Sequence, residues 1–232
     1  MKLSRKTTNA IRYFVDEYLP PVIRDSRWFM ILPLRFMLRR YAEIFLRYKD
    51  RALRMNDQEF MNTYRQILRY SKERETDLNE KTVSLIQKNI IGRSVLDVGC
   101  GRGYLAHRLS SNHRVTAVDI VIEPYLVQGY PGVRFLQGNA EKLPFDDHVF
   151  DTVVCAHTLE HVRNITTAIR ELRRVTKKRL IIVVPKQRPY RYTFDLHLHF
   201  FPYAFSLISL MGVERGGSCV EIDGDFLYRE DM

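Results

Sequence analysis

Apolar positions in this 232-residue chain change their period near residue 92. Before it they recur at helical spacing, and after it they gather in short runs divided by turn residues. Ile11, Phe14, Val15 and Tyr18 form one helical stripe, which Pro20 and Pro21 end. Residues 27–54 alternate large apolar groups (Trp28, Phe29, Met30, Leu34, Met37, Leu38, Ile44, Phe45) with arginines. Asn56 or Asp57 is placed to cap a further helix whose buried stripe is Phe60, Met61, Tyr64, Ile67 and Leu68. Asp77 is expected to cap the next, with Val83, Leu85, Ile86 and Ile90 facing inward.

From residue 94 onward strands and helices alternate, a pattern that predicts a parallel sheet covered by helices on both faces. Strands are expected at 94–99, 114–119, 133–137, 150–155 and 179–184. Ile165, Ala168, Ile169, Leu172 and Val175 mark the helix before the last of these. The tail reads as a hairpin, with Cys219–Asp223 and Phe226–Arg229 flanking a turn at Gly224. The expected division is a helical region over 1–91 and an α/β domain over 92–232.

Charge follows the same division. The chain carries a net +10, and residues 1–90 hold 19 Lys/Arg against 11 Asp/Glu, a net of +8. The α/β half is therefore nearly neutral and the basic character belongs to the helical region. Three dispersed cysteines (Cys100, Cys155, Cys219) make neither a disulfide framework nor a C-x-x-C metal site. A reducing cytoplasm is the expected compartment. The most apolar segment, Trp28–Leu38, is broken by Pro33 and Arg35 and falls short of the roughly 20 residues of a spanning helix.

The candidate chemistry starts where the first strand ends. Val95, Leu96 and Val98 lead through Asp97 into Gly99, Gly101 and Gly103, and a helix-forming stretch begins at Tyr104. Strand, glycine turn and helix open a nucleotide-binding unit, since glycine lets backbone approach a ligand closely. A dinucleotide fingerprint, G-x-G-x-x-G, needs its last glycine one residue later. An acid just before the first glycine repels a pyrophosphate and suits an ammonium or sulfonium. Asp119 ends the second strand about twenty residues on, the separation of a carboxylate that accepts ribose hydroxyls.

Residues 97–103 resemble the first motif of the class I S-adenosylmethionine-dependent methyltransferases. Gly138-Asn139-Ala140 through Phe150-Asp151 resembles that family's G-D-A-x-x-L-P-F-x-D-x-x-F-D stretch, and Val153–Val162 its strand-four region with a Leu-Glu-His signature. The resemblance covers about residues 92–185. It implies a Rossmann-like α/β fold, mostly parallel with a C-terminal antiparallel hairpin, and S-adenosylmethionine as cofactor. By resemblance Asp97, Gly99, Gly101 and Gly103 line the methionine end, and Asp119 takes the ribose. Asn139 and the Ala140 amide meet the adenine, and His157 sits at the mouth. The family has an acid where this chain has Asn139, whose side-chain oxygen still accepts from an exocyclic amine.

A hydroxyl acceptor needs a base, and histidine titrates near working pH. His161 and His197 are the candidate catalytic residues, with Glu160 beside the first and His199 beside the second. The spacing His157-x-x-Glu160-His161 also resembles the E-x-x-E-H metal cluster of some small-RNA and ubiquinone-pathway O-methyltransferases, which His197 or His199 would complete. Histidine replaces its first glutamate, and no metal is expected. The aromatic stretch Tyr190–Tyr203 reads either as a wall that stacks on a sugar or ring, or as a β-like segment with one packed face. No N-P-P-Y or D-P-P-Y segment supports adenine methylation, and Cys155 reads as a core residue.

Aromatic and arginine residues mixed in the N-terminal region suit contact with an anionic membrane, a nucleic acid, or a lid role in which the arginines are simply solvated. The C-terminal half is similar to methyltransferases found with bacterial surface-polysaccharide genes. The leading expectation is therefore an O-methyltransferase of a glycan or lipid-linked small substrate, cytoplasmic or at the inner face of the membrane. Methylation of RNA is the second, and cofactor binding without catalysis the third.

Overall fold

The computed structural model describes residues 13–15, 18–70, 75–192 and 194–232, and side chains at 68–70 lie outside the description. Ile11 of the first expected stripe and the Leu68 side chain of the third are thus not covered. The helical region contains α1 (Pro21–Arg24), α2 (Arg27–Leu38), α3 (Ala42–Ala52), α4 (Asp57–Tyr70) and α5 (Glu80–Asn89). The α/β region follows as β1 (Ser94–Val98), α6 (Tyr104–Ser110), β2 (Arg114–Asp119), α7 (Pro124–Gly129), β3 (Val133–Gln137), β4 (Phe150–Ala156), α8 (Ile165–Val175), β5 (Thr176–Pro185), α9 (Ala204–Met211), β6 (Ser218–Ile222) and β7 (Asp225–Asp231).

The seven strands form one sheet in the order β3-β2-β1-β4-β5-β7-β6. The first five are parallel, β7 runs antiparallel to β5, and β6 pairs antiparallel with β7. The expected C-terminal hairpin is therefore present, and it adds β7 between β5 and β6. Successive side chains of a strand face opposite sides, so each central strand feeds two cores. Leu96, Val98, Val153, Cys155 and Ile182 pack on one side with Ala168, Ile169 and Leu172 of α8 and Leu207 of α9. Val95, Val154, Ile181 and Val183 pack on the other with Val83 and Ile86 of α5 and Leu105 and Leu109 of α6. Although α5 lies in the stretch read as a helical arm, its buried face belongs to the sheet.

The remaining helices have their own core. Met30, Leu34 and Leu38 of α2 meet Ala42, Phe45 and Leu46 of α3, and Tyr192 and Leu196 from the segment after β5 join them. That segment is irregular, which corrects the β-like reading of it. Tyr190, Tyr192, Leu196 and Phe201 are buried within it. Two basic residues of the helical region are drawn into the fold here. Arg24 is buried and donates to the Pro189 carbonyl at 3.1 Å. The Lys49 ammonium donates to the Tyr190 carbonyl at 2.5 Å and lies 4.4 Å from the Phe200 ring centroid. Burial lowers the Lys49 pKa to about 8, against the pull of Asp195 and Asp25.

Caps fix where the helices begin. Asn56 accepts from the Glu59 amide at 2.9 Å while Glu59 accepts from the Asn56 amide at 3.2 Å, a reciprocal capping box that selects Asn56 over Asp57. Asp57 instead pairs with Arg163. The expected Asp77 cap is corrected to Asn79, whose oxygen accepts from the Thr82 amide at 2.8 Å. Asp77 lies two residues too early to reach that amide and lines a cavity instead.

One buried ion pair joins α8 to β7. Arg173 donates to both oxygens of Glu230, at 2.6 and 2.8 Å, and the Tyr228 hydroxyl donates to the same carboxylate at 2.8 Å. Removing the cation strands a buried carboxylate, so Arg173→Met is expected to cost about 3 kcal/mol in urea unfolding. A loss under about 0.5 kcal/mol would show the pair to be energetically idle.

Candidate active site

All five parallel strands point their C-terminal ends at one edge of the sheet, where open α/β sheets bind ligands. A cavity of about 480 Å³ lies there, floored by the β1 and β4 ends and walled by α2, α3, α4 and the segment after β5. A narrow second cavity of about 50 Å³ continues it between β2, the turn at Gly138–Glu141 and Phe60 of α4. The two share Tyr64, Gly99, Asp119, Thr158 and His161.

The glycine turn is built for close approach. Gly99, Gly101 and Gly103 have φ of 75°, 52° and 73°, a region that L side chains rarely adopt. A Cβ on Gly99 would collide with the Thr158 side chain, whereas one on Gly101 would meet nothing within 4 Å. The turn is thus braced on one side and open on the cavity side. Asp119 holds it, since one carboxylate oxygen accepts from the Gly101 amide at 2.9 Å and the other from the Val121 amide at 3.1 Å. The Ile120 amide supports the same carboxylate, which borders both cavities.

Asp97 is the most telling group. It is buried, one of its oxygens has no hydrogen-bond partner, and it faces the cavity. Burial first and the Asp119 charge second push its pKa up to about 7. An unpaired buried carboxylate is costly, and a cationic ligand is what relieves it. Asp119 is also raised, by burial, against the amides that hold it.

The histidines divide into three roles. His157, at a positive φ of 50°, lies between carboxylates, its Nε2 3.2 Å from Asp225 and its Nδ1 3.5 Å from Glu160. Burial opposes its charge, yet Asp225 and Glu160 outweigh burial and raise its pKa. His161 and His197 face each other edge-to-face with centroids 4.7 Å apart. Nδ1 of His161 donates to the Leu196 carbonyl at 3.2 Å, and Nδ1 of His197 to the Gln187 side-chain oxygen at 2.5 Å. The Leu196 carbonyl assigns the His161 ring proton to Nδ1 and leaves its Nε2 lone pair for the cavity. His199 donates to the Val162 carbonyl at 2.9 Å and does not join them.

Glu160 completes the cluster. It is fully buried and neither oxygen makes a hydrogen bond among the described residues, while His197 Nε2 stands 4.0 Å away. Burial raises its pKa, with His161 and His157 opposing. Glu160, His161 and His197 each offer one ligand atom, all within 4.8 Å of one another. Such an N/O donor set is able to hold a divalent ion as well as to move protons.

The Asn139 oxygen, expected at the adenine, accepts from the Glu141 amide at 2.9 Å and so shapes its own turn. Asn139 and Ala140 nonetheless border the narrow cavity. Sequence reasoning missed Thr158, Gln187 and Asp225. Thr158 stands within the strand-four motif and could have been read from it. Gln187 and Asp225 carry no local signal, because only the fold brings them to His197 and His157.

Comparison with known proteins agrees with this geometry. A family model described as "Methyltransferase domain" matches residues 96–184. The chain is 37% identical over 92 residues to an uncharacterized methyltransferase YcgJ of Bacillus subtilis, covering 36% of each chain. It is 31% identical over 138 residues to a ubiquinone/menaquinone biosynthesis C-methyltransferase UbiE of Stutzerimonas stutzeri, covering 52% of each. The matched region thus spans about half or less of these curated relatives. The crystal structure of Bacillus subtilis YcgJ superposes with a TM-score of 0.52 at 25% identity, over 62% of this chain and 71% of that one. A Burkholderia thailandensis 1,6-didemethyltoxoflavin-N1-methyltransferase, solved with S-adenosylhomocysteine, shares the fold with a TM-score of 0.60 at 20% identity, over 76% and 90%.

The open glycine turn and the orphaned Asp97 oxygen fit a cationic nucleoside cofactor. With the family match, they identify a class I S-adenosylmethionine-dependent methyltransferase domain in this chain, with S-adenosylmethionine as its cofactor.

Proposed function

We propose that the protein transfers a methyl group from S-adenosylmethionine to a hydroxyl of a glycan or lipid-linked small substrate. The observation that carries the hydroxyl reading is the Nε2 lone pair of His161, with the His197 ring 4.7 Å away, beside the unsatisfied Glu160 carboxylate. They border the same cavity as the glycine turn. S-adenosylmethionine, when bound, would supply the electrophilic methyl for an in-line displacement by the acceptor oxygen and leave as the neutral thioether. The acceptor proton passes to Nε2 of His161 or His197, and Glu160 stabilises the imidazolium that forms.

Other residues of the chain bind and exclude water. Asp97 attracts the cofactor's ammonium, Asp119 accepts from its ribose, and Asn139 with the Ala140 amide borders its base. His157, held by Asp225, keeps Glu160 facing the histidines. The Asp225 carboxylate is itself tied to α5 through Thr82 and Asn79 at 3.3 and 3.4 Å. Met37, Leu38 and Phe45 roof the cavity with apolar surface, as an in-line displacement in a dry site requires. Tyr190 and Phe194 supply aromatic surface suited to a sugar or other ring. The exposed arginines of the helical region favour a second reading, RNA as acceptor.

His161→Ala and His197→Ala are each expected to lower kcat by about 10²-fold or more without changing cofactor affinity. Assays would offer radiolabelled cofactor to membrane glycolipid extracts and to RNA side by side. Unchanged turnover in both variants would remove the general base, and label in RNA alone would select the second reading. Loss of turnover with a chelator, restored by one divalent ion, would assign the cluster to metal binding instead.

Cofactor affinity has its own pH signature. Asp97 with a pKa near 7 must ionise to meet the ammonium, so affinity falls as pH drops through that value. Calorimetry is expected to show S-adenosylhomocysteine binding about tenfold more weakly at about pH 6 than at about pH 8, a dependence that Asp97→Asn removes. A flat profile would contradict the role of Asp97. Asp119→Ala, which deletes charge-assisted hydrogen bonds, is expected to weaken binding by about tenfold or more in the same experiment.

A further inference from the structure

Helix α2 has two apolar sides. Met30, Leu34 and Leu38 are buried in the helical core. Trp28, Leu32 and Phe36 are 72%, 70% and 77% exposed, a stripe at every fourth residue. At about 100° per residue the two triads lie on opposite sides of the helix. A surface helix of a soluble protein turns polar residues outward, so a stripe of three large apolar groups marks an interaction face. Val22 and Leu53, in the neighbouring elements, are exposed as well.

The charge around the stripe selects the occupant. Arg27, Arg35, Arg39, Arg40, Arg47, Arg51 and Arg54 are all exposed, whereas Arg24 and Lys49 are consumed inside the fold. Glu43 is shared by three of the arginines, Arg27, Arg35 and Arg47, at 3.7, 3.5 and 3.5 Å, so the patch stays strongly positive. Apolar side chains that project outward among arginines match a bilayer, with its acyl boundary beneath anionic headgroups. A nucleic-acid groove would pair with the arginines and leave Leu32 and Phe36 in water. Among the described residues no helix is long and apolar enough to cross a membrane.

We propose that the outer face of α2 docks on an anionic lipid bilayer. The same helix lines the large cavity through Met37 and Leu38. A helix with its side chains is about 10–12 Å across, so docking sets the cavity within one helix thickness of the headgroups. This deepens the proposed substrate class, since an acceptor carried on a lipid would reach the site without leaving the membrane. Vesicle binding itself requires no methyl transfer, so either proposal can fail alone.

Trp28 is the single tryptophan of the chain and therefore reports its own insertion. The full chain would be titrated with vesicles of equimolar phosphatidylglycerol and phosphatidylcholine, and with phosphatidylcholine alone. The expected result is a blue shift of tryptophan emission with the anionic vesicles, quenching by brominated acyl chains, and weakening by added salt. Leu32→Ala with Phe36→Ala is expected to weaken partitioning at least tenfold while S-adenosylhomocysteine affinity stays unchanged, which shows the variant folded. No shift with anionic vesicles would overturn the proposal. So would binding with no acyl-chain quenching that structured RNA displaces, or a shift that grows with protein concentration in the absence of lipid and signals pairing of two copies.

Discussion

Three carboxylates meet at one edge of the sheet without enough positive charge to satisfy them, and this imbalance governs the site. Asp97 and Asp119 end neighbouring strands, so the parallel pairing of β1 with β2 brings both into the cavity. Glu160 follows the β4 end on the other side of β1. Burial raises the pKa of all three. A sheet with mixed strand directions would have scattered these groups over two edges. Here the topology concentrates them, and a cofactor carrying ammonium and sulfonium charge supplies what the protein lacks.

The helical region is a roof fixed by the site it covers. Its core includes Tyr192 and Leu196 from the segment that also carries His197 and the Leu196 carbonyl that orients His161. Lys49 and Arg24 add polar ties to that segment through the Tyr190 and Pro189 carbonyls. Packing of α2 and α3 is therefore coupled to the orientation of both histidines.

Much of the fold was legible because burial on both sides leaves a simple mark. The five parallel strands read as apolar runs, and α8 read directly from Ile165, Ala168, Ile169, Leu172 and Val175. The glycine turn and Asp119 were legible for the same reason, since strand-end position fixes where a side chain points. Asp77 was mistaken for a cap because Asp and Asn are equally good caps, and only the geometry shows that Asn79 reaches the Thr82 amide. Burial of Arg24 and Lys49 leaves no mark in the sequence, because it depends on partners 165 and 141 residues away. His197 and His199 were indistinguishable by spacing, and an irregular segment turns one to the cavity and the other to Val162.

The central claim, that the unpaired Asp97 carboxylate is what the cofactor's positive charge satisfies, has a direct thermodynamic reading. Calorimetric titration of S-adenosylmethionine near pH 7 in buffers of different ionisation enthalpy measures the protons exchanged on binding. With its pKa near 7, Asp97 is about half protonated in the free protein, so binding is predicted to release about half a proton, and Asp97→Asn to release none. Binding with no proton release in the native chain, or the same release in Asp97→Asn, would contradict the account.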